Sequence, residues 1–164
     1  MQINFKGEDK FEIKTREASI NLAHDGIVID GFTINGPGEF ERKGVFVEGI
    51  QPNGDGVIYT IRAEGISICY PGALSEKIED DAAKFIGEVD VLIVPLGQKD
   101  SLDLKKAREL ISLIDPRIVI PMLYDNVAEF KNLEGVTEED LDTLRIKKGE
   151  LPENERRVVV LNAK

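Results

Sequence analysis

Residues 87–95, Gly87-Glu88-Val89-Asp90-Val91-Leu92-Ile93-Val94-Pro95, decide the fold. Val89 to Val94 is nearly unbroken apolar sequence, without the alternation of a strand wetted on one face, so it reads as a strand covered on both sides. Upstream, beyond Pro71-Gly72, Ile78, Ala82, Phe85 and Ile86 recur at i, i+4, i+7 and i+8. That spacing predicts one buried helix face, with Ser75 placed to cap the helix and Gly87 to end it. Downstream, Leu104, Ala107, Leu110, Ile111 and Ile114 form a second helical stripe, stopped by Asp115-Pro116 before another buried strand at Ile118-Val119-Ile120. The second half is therefore βαβαβ in character.

Earlier in the chain the period is two. Ile3 and Phe5, Phe11 and Ile13, and Ile20 and Leu22 each place apolar groups on one strand face, with turns at Gly7-Glu8-Asp9, Asp25-Gly26, Asp30-Gly31, Gly36-Pro37-Gly38 and Lys43-Gly44. This is the pattern of a meander. Val57 to Ala63 and Ile66 to Tyr70 pair naturally across Glu64-Gly65. Near the C-terminus, Thr137 with Asp140 has capping-box spacing and Val136 with Leu141 that of a hydrophobic staple, predicting a short helix ending near Leu144. Val158 to Leu161 is a last apolar strand, placed to complete the second sheet.

Composition narrows the function classes. At 164 residues the chain is sized for one domain, residues 1–164. Its 21 basic against 31 acidic residues give a net charge of −10, which repels phosphate backbones and anionic membranes. The basic doublets Arg42-Lys43, Lys105-Lys106, Lys147-Lys148 and Arg156-Arg157 are short and scattered, as on a solvated surface. No nucleic-acid or membrane partner is expected. Cys69 is the sole cysteine, so no disulfide or multi-thiolate zinc site can form within the chain, and a cytoplasmic setting fits. The start, Met1-Gln2-Ile3-Asn4-Phe5, has no signal-peptide pattern, and the apolar runs fall far short of the about 20 residues a spanning helix needs.

Several stretches, in this order and spacing, resemble the small zinc-dependent hydrolases of the metallo-β-lactamase fold. They are Ile34-Asn35-Gly36-Pro37-Gly38-Glu39-Phe40 with Lys43-Gly44-Val45-Phe46-Val47, then Gly65-Ile66-Ser67-Ile68-Cys69-Tyr70-Pro71-Gly72, then 87–95, then Asp115-Pro116-Arg117-Ile118-Val119-Ile120-Pro121-Met122. The resemblance implies an α/β (α+β) architecture: an αββα sandwich of two mixed β-sheets with flanking helices, here truncated. It also implies metals at the strand ends, held by a His-x-His-x-Asp-His loop, a later His, an Asp and a last His, so that zinc-bound water becomes hydroxide near neutral pH.

Against that pattern the ligands are missing one by one. Tyr70 stands where the resemblance places a His, Ala73 near an Asp position, and Leu123, within Pro121-Met122-Leu123-Tyr124, where it places the last His. The His-rich loop is absent, because only Ala23-His24-Asp25 separate the strands at Ile20 and Ile27, and the helix that follows the loop is deleted with it. The reading is thus a non-catalytic scaffold, self-assembly or binding module with no catalytic residues, no metal and no cofactor. Tyr70, Ala73, Leu123 and Tyr124 are the remnant of the pocket, the two tyrosines placed to plug it or line it. The alternative is a hydrolase of altered chemistry using a non-histidine or inter-subunit site. A sheet face stripped of its helix would need other cover, which predicts a homo-oligomer formed through the N-terminal sheet, beside a small-molecule or protein partner.

Other residues are read more plainly. His24, the only histidine, reads as a turn residue, and Cys69 as core with no histidine placed to activate it. Glu8, Asp25, Glu76 and Asp125 flank the expected mouth, where oxygen ligands would suit a hard cation such as magnesium. Gly36-Pro37-Gly38-Glu39 lacks the helix and lysine of a phosphate loop and reads as a turn.

Overall fold

The computed structural model describes residues 1–52, 56–72, 74–97, 101–125, 127–135 and 137–164, with only the backbone at 139 and 140. The N-terminal half is the expected meander: β1 (Gln2–Gly7), β2 (Lys10–Lys14), β3 (Ser19–Ala23), β4 (Gly26–Ile29) and β5 (Phe32–Ile34) lie side by side in chain order. With β13 (Leu144–Arg145) on β1, this six-stranded sheet is antiparallel throughout, not mixed. The second sheet is mixed. Strands β6 (Gly38–Arg42), β7 (Val45–Ile50), β8 (Ile58–Ala63) and β9 (Ile66–Tyr70) run antiparallel. Then β10 (Val91–Pro95), β11 (Ile118–Met122), β14 (Arg157–Leu161) and β12 (Glu138–Leu141) continue it in parallel from β9.

Two cores follow from this layering. Ile3, Phe11, Ile13, Ile20 and Ile29 of the first sheet meet Val47, Ile61, Tyr70, Ile93 and Ile120 of the second. The opposite face of the second sheet, with Cys69, Leu92, Val94, Val119 and Val158, takes α1 (Asp80–Ile86), α2 (Leu104–Ile114) and α3 (Ala128–Glu134) through Ile86, Ala107, Leu110, Ile111 and Phe130. Alternate residues of β10 enter different cores, which is why its sequence is apolar without a break. All three described helices therefore lie on one side, so among the described residues the layers are sheet, sheet and helices, where an αββα sandwich was expected.

The first sheet's outer face carries no helix among the described residues, yet it is not apolar. Asn4 stands opposite Glu12, and Glu12 opposite Asn21. Glu12 pairs with Lys6 (3.4 Å) and Lys14 (3.1 Å), and Thr143 donates to Asn4 (2.7 Å). Water can cover such a surface, so the burial argument for self-association through this sheet has no support.

Two local expectations are corrected. Residues 138–141 form strand β12, not a helix, because the Thr137 hydroxyl and backbone bond Val158 instead of capping, and Glu138 pairs with Arg157. Val136 and the side chain of Asp140 lie outside the described residues. Likewise α1 starts at Asp80 behind Glu79, with no side-chain cap, and Ser75 contributes only its carbonyl, to Lys106 (3.4 Å). The α2 boundaries agree with the sequence: Asp103 accepts from the Lys106 N–H (2.8 Å), and Asp115 closes the helix in a left-handed conformation.

Candidate functional site

The turn between β3 and β4 is two residues long, His24-Asp25, with Ala23 paired to Gly26. Gly26 permits it: its φ is +141°, and a Cβ there would fall 2.3 Å from the Ile34 carbonyl oxygen. No metal-binding loop is inserted at this point. The turn lies at the same end of the sandwich as the C-terminal ends of β9 and β11 and the β1–β2 turn.

Tyr70, the last residue of β9, is fully buried in the core between the sheets. Its hydroxyl donates to the Asp9 carbonyl (2.9 Å) across 61 residues of sequence. Burial pushes its phenol well up, and the negative charges of Asp9 and Asp25 add to this, so it stays protonated and a donor. Tyr59, directly opposite Tyr70 on β8, is also buried and its phenol is likewise raised by burial.

Leu123 follows β11 with φ of +57°, a left-handed conformation costly for a branched side chain. It is half-buried against the inter-sheet core, and its N–H donates to the Glu8 carbonyl (3.1 Å). The β1–β2 turn is therefore bonded at two successive carbonyls: Glu8 to the end of β11 and Asp9 to the end of β9. The Asp9 side chain, only 7% exposed, accepts from the His24 backbone N–H (2.6 Å), and His24 Nδ1 lies 3.1 Å from the same oxygen. A turn of the first sheet thus closes the strand ends of the second.

Of the residues expected here, Tyr70 and Leu123 are brought together around this turn. Tyr124 is half-buried and is not part of the core around Tyr70, and Ala73 lies outside the described residues. The acidic mouth does not assemble: Glu8 is exposed beside Lys10 (3.4 Å), Asp125 is exposed, and Glu76 is held by Lys106 (2.9 Å) against α2. Among the described residues no group of three or more His, Cys, Asp or Glu side chains converges to hold a metal ion. A buried phenol and a leucine supply neither imidazole nor carboxylate, so these residues do not fit the zinc that the fold implies. Sequence reading missed Asp9, which looked like one turn acid among many. Cys69 is buried, with its thiol pushed up to about 12 by desolvation, as expected of a core residue.

Comparison with known proteins agrees with this architecture. The family model described as a beta-lactamase superfamily domain matches residues 5–123. A UPF0173 protein of Pyrococcus furiosus is 42% identical over 43 residues, covering 26% of this chain and 20% of the relative. A UPF0173 metal-dependent hydrolase of the same organism is 29% identical over 85 residues, covering 47% of this chain and 38% of the relative. The matches thus span less than two fifths of these relatives' own lengths. Among solved structures, a presumed Zn-dependent hydrolase of the metallo-beta-lactamase superfamily from Thermotoga maritima superposes with a TM-score of 0.85 at 24% identity, covering 98% of both chains. A metallo hydrolase from Ignicoccus hospitalis gives 0.64 at 12% identity, over 80% of this chain and 89% of that one. Since the family model covers well over half of the chain and the fold agrees, the chain belongs to the beta-lactamase superfamily.

Proposed function

We propose that this chain is a non-catalytic member of the superfamily, a scaffold that binds another molecule. The observation that carries this reading is the buried Tyr70, whose ring occupies core volume at the end of β9 and whose hydroxyl is spent on the Asp9 carbonyl. A filled and internally satisfied strand end leaves no first coordination shell there and no cleft for a scissile bond. Of the two uses open to such a scaffold, self-association and capture of a different partner, the polar outer face of the first sheet favours capture. No described helix is long and apolar enough to cross a membrane. One buried cysteine and no disulfide suit a reducing, cytoplasmic setting.

The alternative, a hydrolase of altered chemistry, is supported by the names of the relatives, which fit it more closely than they fit a scaffold. Within the chain its one support departs from the non-histidine or inter-subunit site expected from the sequence: in the His24–Asp9 pair a carboxylate at Nδ1 fixes the imidazole and leaves Nε2 toward solvent, as a general base requires. A hydrolysis screen on phosphodiester, lactone and thioester substrates, with and without added zinc, separates the readings. The scaffold reading predicts no turnover above the uncatalysed rate, with or without zinc. Turnover above that rate would establish the alternative, and its loss in His24→Ala would assign it to the His24–Asp9 pair.

A further inference from the structure

Phe85 on α1 is 68% exposed, more than any other large apolar side chain among the described residues. It borders a groove of about 460 Å³ between α1 and the upper end of β7, with Ile50, Pro52 and Ala82 as its apolar walls. The charged side chains lining it among the described residues are Glu79 and Asp81; Asp81 is paired with Lys84 on α1 (2.7 Å), which leaves Glu79 the acid there with no ion-pair partner among the described residues. Alongside, on the β6–β7 pair, Glu39 stands directly opposite Glu48. Like charges so placed cost stability. Arg62 offsets Glu48 (3.3 Å), whereas Glu39 has no partner among the described residues. Ile50, two residues along from Glu48, shares its face of β7 and carries the acidic surface into the groove.

The occupant follows from these features. The wall is apolar, the acids beside it that have no ion-pair partner among the described residues, Glu79 and Glu39, are of one sign, and β6 is the edge strand of its sheet, with backbone groups free to bond an added strand. A second copy of this chain, at net charge −10, would bring acid to acid. The larger groove along α2 carries both signs, already paired to one another as Lys77–Glu109 (2.5 Å) and Lys106–Glu76 (2.9 Å), and selects nothing.

We propose that the groove between α1 and the β6–β7 edge docks a cationic segment of another protein, which sets an apolar side chain beside Phe85 and Lys or Arg groups against Glu79 and Glu39. This rests on the binding-module reading and gives it a surface and a partner chemistry. Exposed acids attract at long range and lose strength in salt, while the apolar contact sets residence, so both contributions are measurable.

The test is selection of peptides from a random library by the purified full chain, followed by affinities for the selected peptides. The expected result is enrichment of sequences that combine an apolar residue with Lys or Arg. Binding should weaken at least tenfold in Phe85→Ser and fall steeply with salt, and the double change Glu79→Lys with Glu39→Lys should abolish it. These side chains are exposed, so unaltered thermal unfolding confirms that each variant folds. Neutral or acidic consensus sequences, no enrichment, or full binding by Phe85→Ser would each overturn the proposal. So would a wild-type dimer in sedimentation that becomes monomeric in Phe85→Ser, since that would give the face to a second copy. Failure of the scaffold reading appears separately, as turnover in the hydrolysis screen.

Discussion

Replacing Tyr70 by alanine lowers the free energy of unfolding by about 3–5 kcal/mol, the range for removing a large aromatic from a core that cannot collapse. Tyr70 is fully buried, and its neighbours belong to two different sheets whose spacing is fixed by the rest of the inter-sheet core. The cavity would therefore persist. Tyr70→Phe keeps the ring and removes only the bond to the Asp9 carbonyl, so its expected cost is about 1–2 kcal/mol. Urea unfolding of both variants checks the pair. A loss below about 1 kcal/mol for Tyr70→Ala would mean the ring fills no necessary volume and the plug account is wrong.

Asp90→Ala has the second largest expected effect, about 2–4 kcal/mol, and acts at the opposite end of the sandwich. Asp90 is 6% exposed and precedes β10. Its carboxylate accepts from the Ser67 N–H (2.9 Å) and from Lys148 (3.0 and 3.1 Å), with Arg117 Nε at 3.4 Å. Its carbonyl accepts from the N–H groups of Arg117 and Ile118 at the start of β11, and its own N–H donates to the Ser67 carbonyl on β9. One residue thus joins the starts of three parallel strands. Alanine keeps the backbone bonds and leaves the Ser67 N–H without its acceptor. Lys148 and Arg117 are half-exposed, so water recovers part of their loss, and the estimate stays below that for a fully buried ion pair. Asp90→Asn, which keeps an acceptor, should lose less than half as much.

These two residues show how unevenly the sequence carried the structure. Val89 to Val94 announced β10 because its alternate side chains feed two cores, and the stripe from Leu104 to Ile114, stopped by Asp115-Pro116, announced α2 and its end, though not its Asp103 N-cap. Local periodicity and local capping were sufficient there. At Thr137 the same local signal misled, since the hydroxyl that would cap a helix bonds Val158, a strand partner 21 residues away that no local pattern reveals. The polar outer face of the first sheet was legible but not used. The alternation that buries Ile3, Ile13 and Ile20 already assigns Asn4, Glu12 and Asn21 to the outside. The outer face of this sheet, without a helix over it among the described residues, is therefore a surface that water can solvate.

The candidate site divides the same way. The two-residue His24-Asp25 turn, Tyr70 in the core and Leu123 at the end of β11 were all legible in order and spacing. Asp9 was not, because its role comes from contacts to residues 24 and 70 across a tertiary gap. Its only local mark was the turn it sits in. The exposed groove at Phe85 was hidden for a related reason: Phe85 fits the helical stripe of Ile78, Ala82 and Ile86, and its period suggested burial. The short α1 leaves it at the border of the covered face instead.

The central claim is that the packed, hydrogen-bonded joint of Tyr70, Leu123 and the β1–β2 turn holds no metal ion. Native mass spectrometry of the full chain, incubated with excess zinc and then dialysed, tests it most directly. The account predicts the metal-free mass alone, with an unfolding temperature unchanged by zinc, since a metal that bound the native state would stabilise it by mass action. Stoichiometric zinc retained through dialysis, and lost on replacing His24 or Asp9, would contradict it.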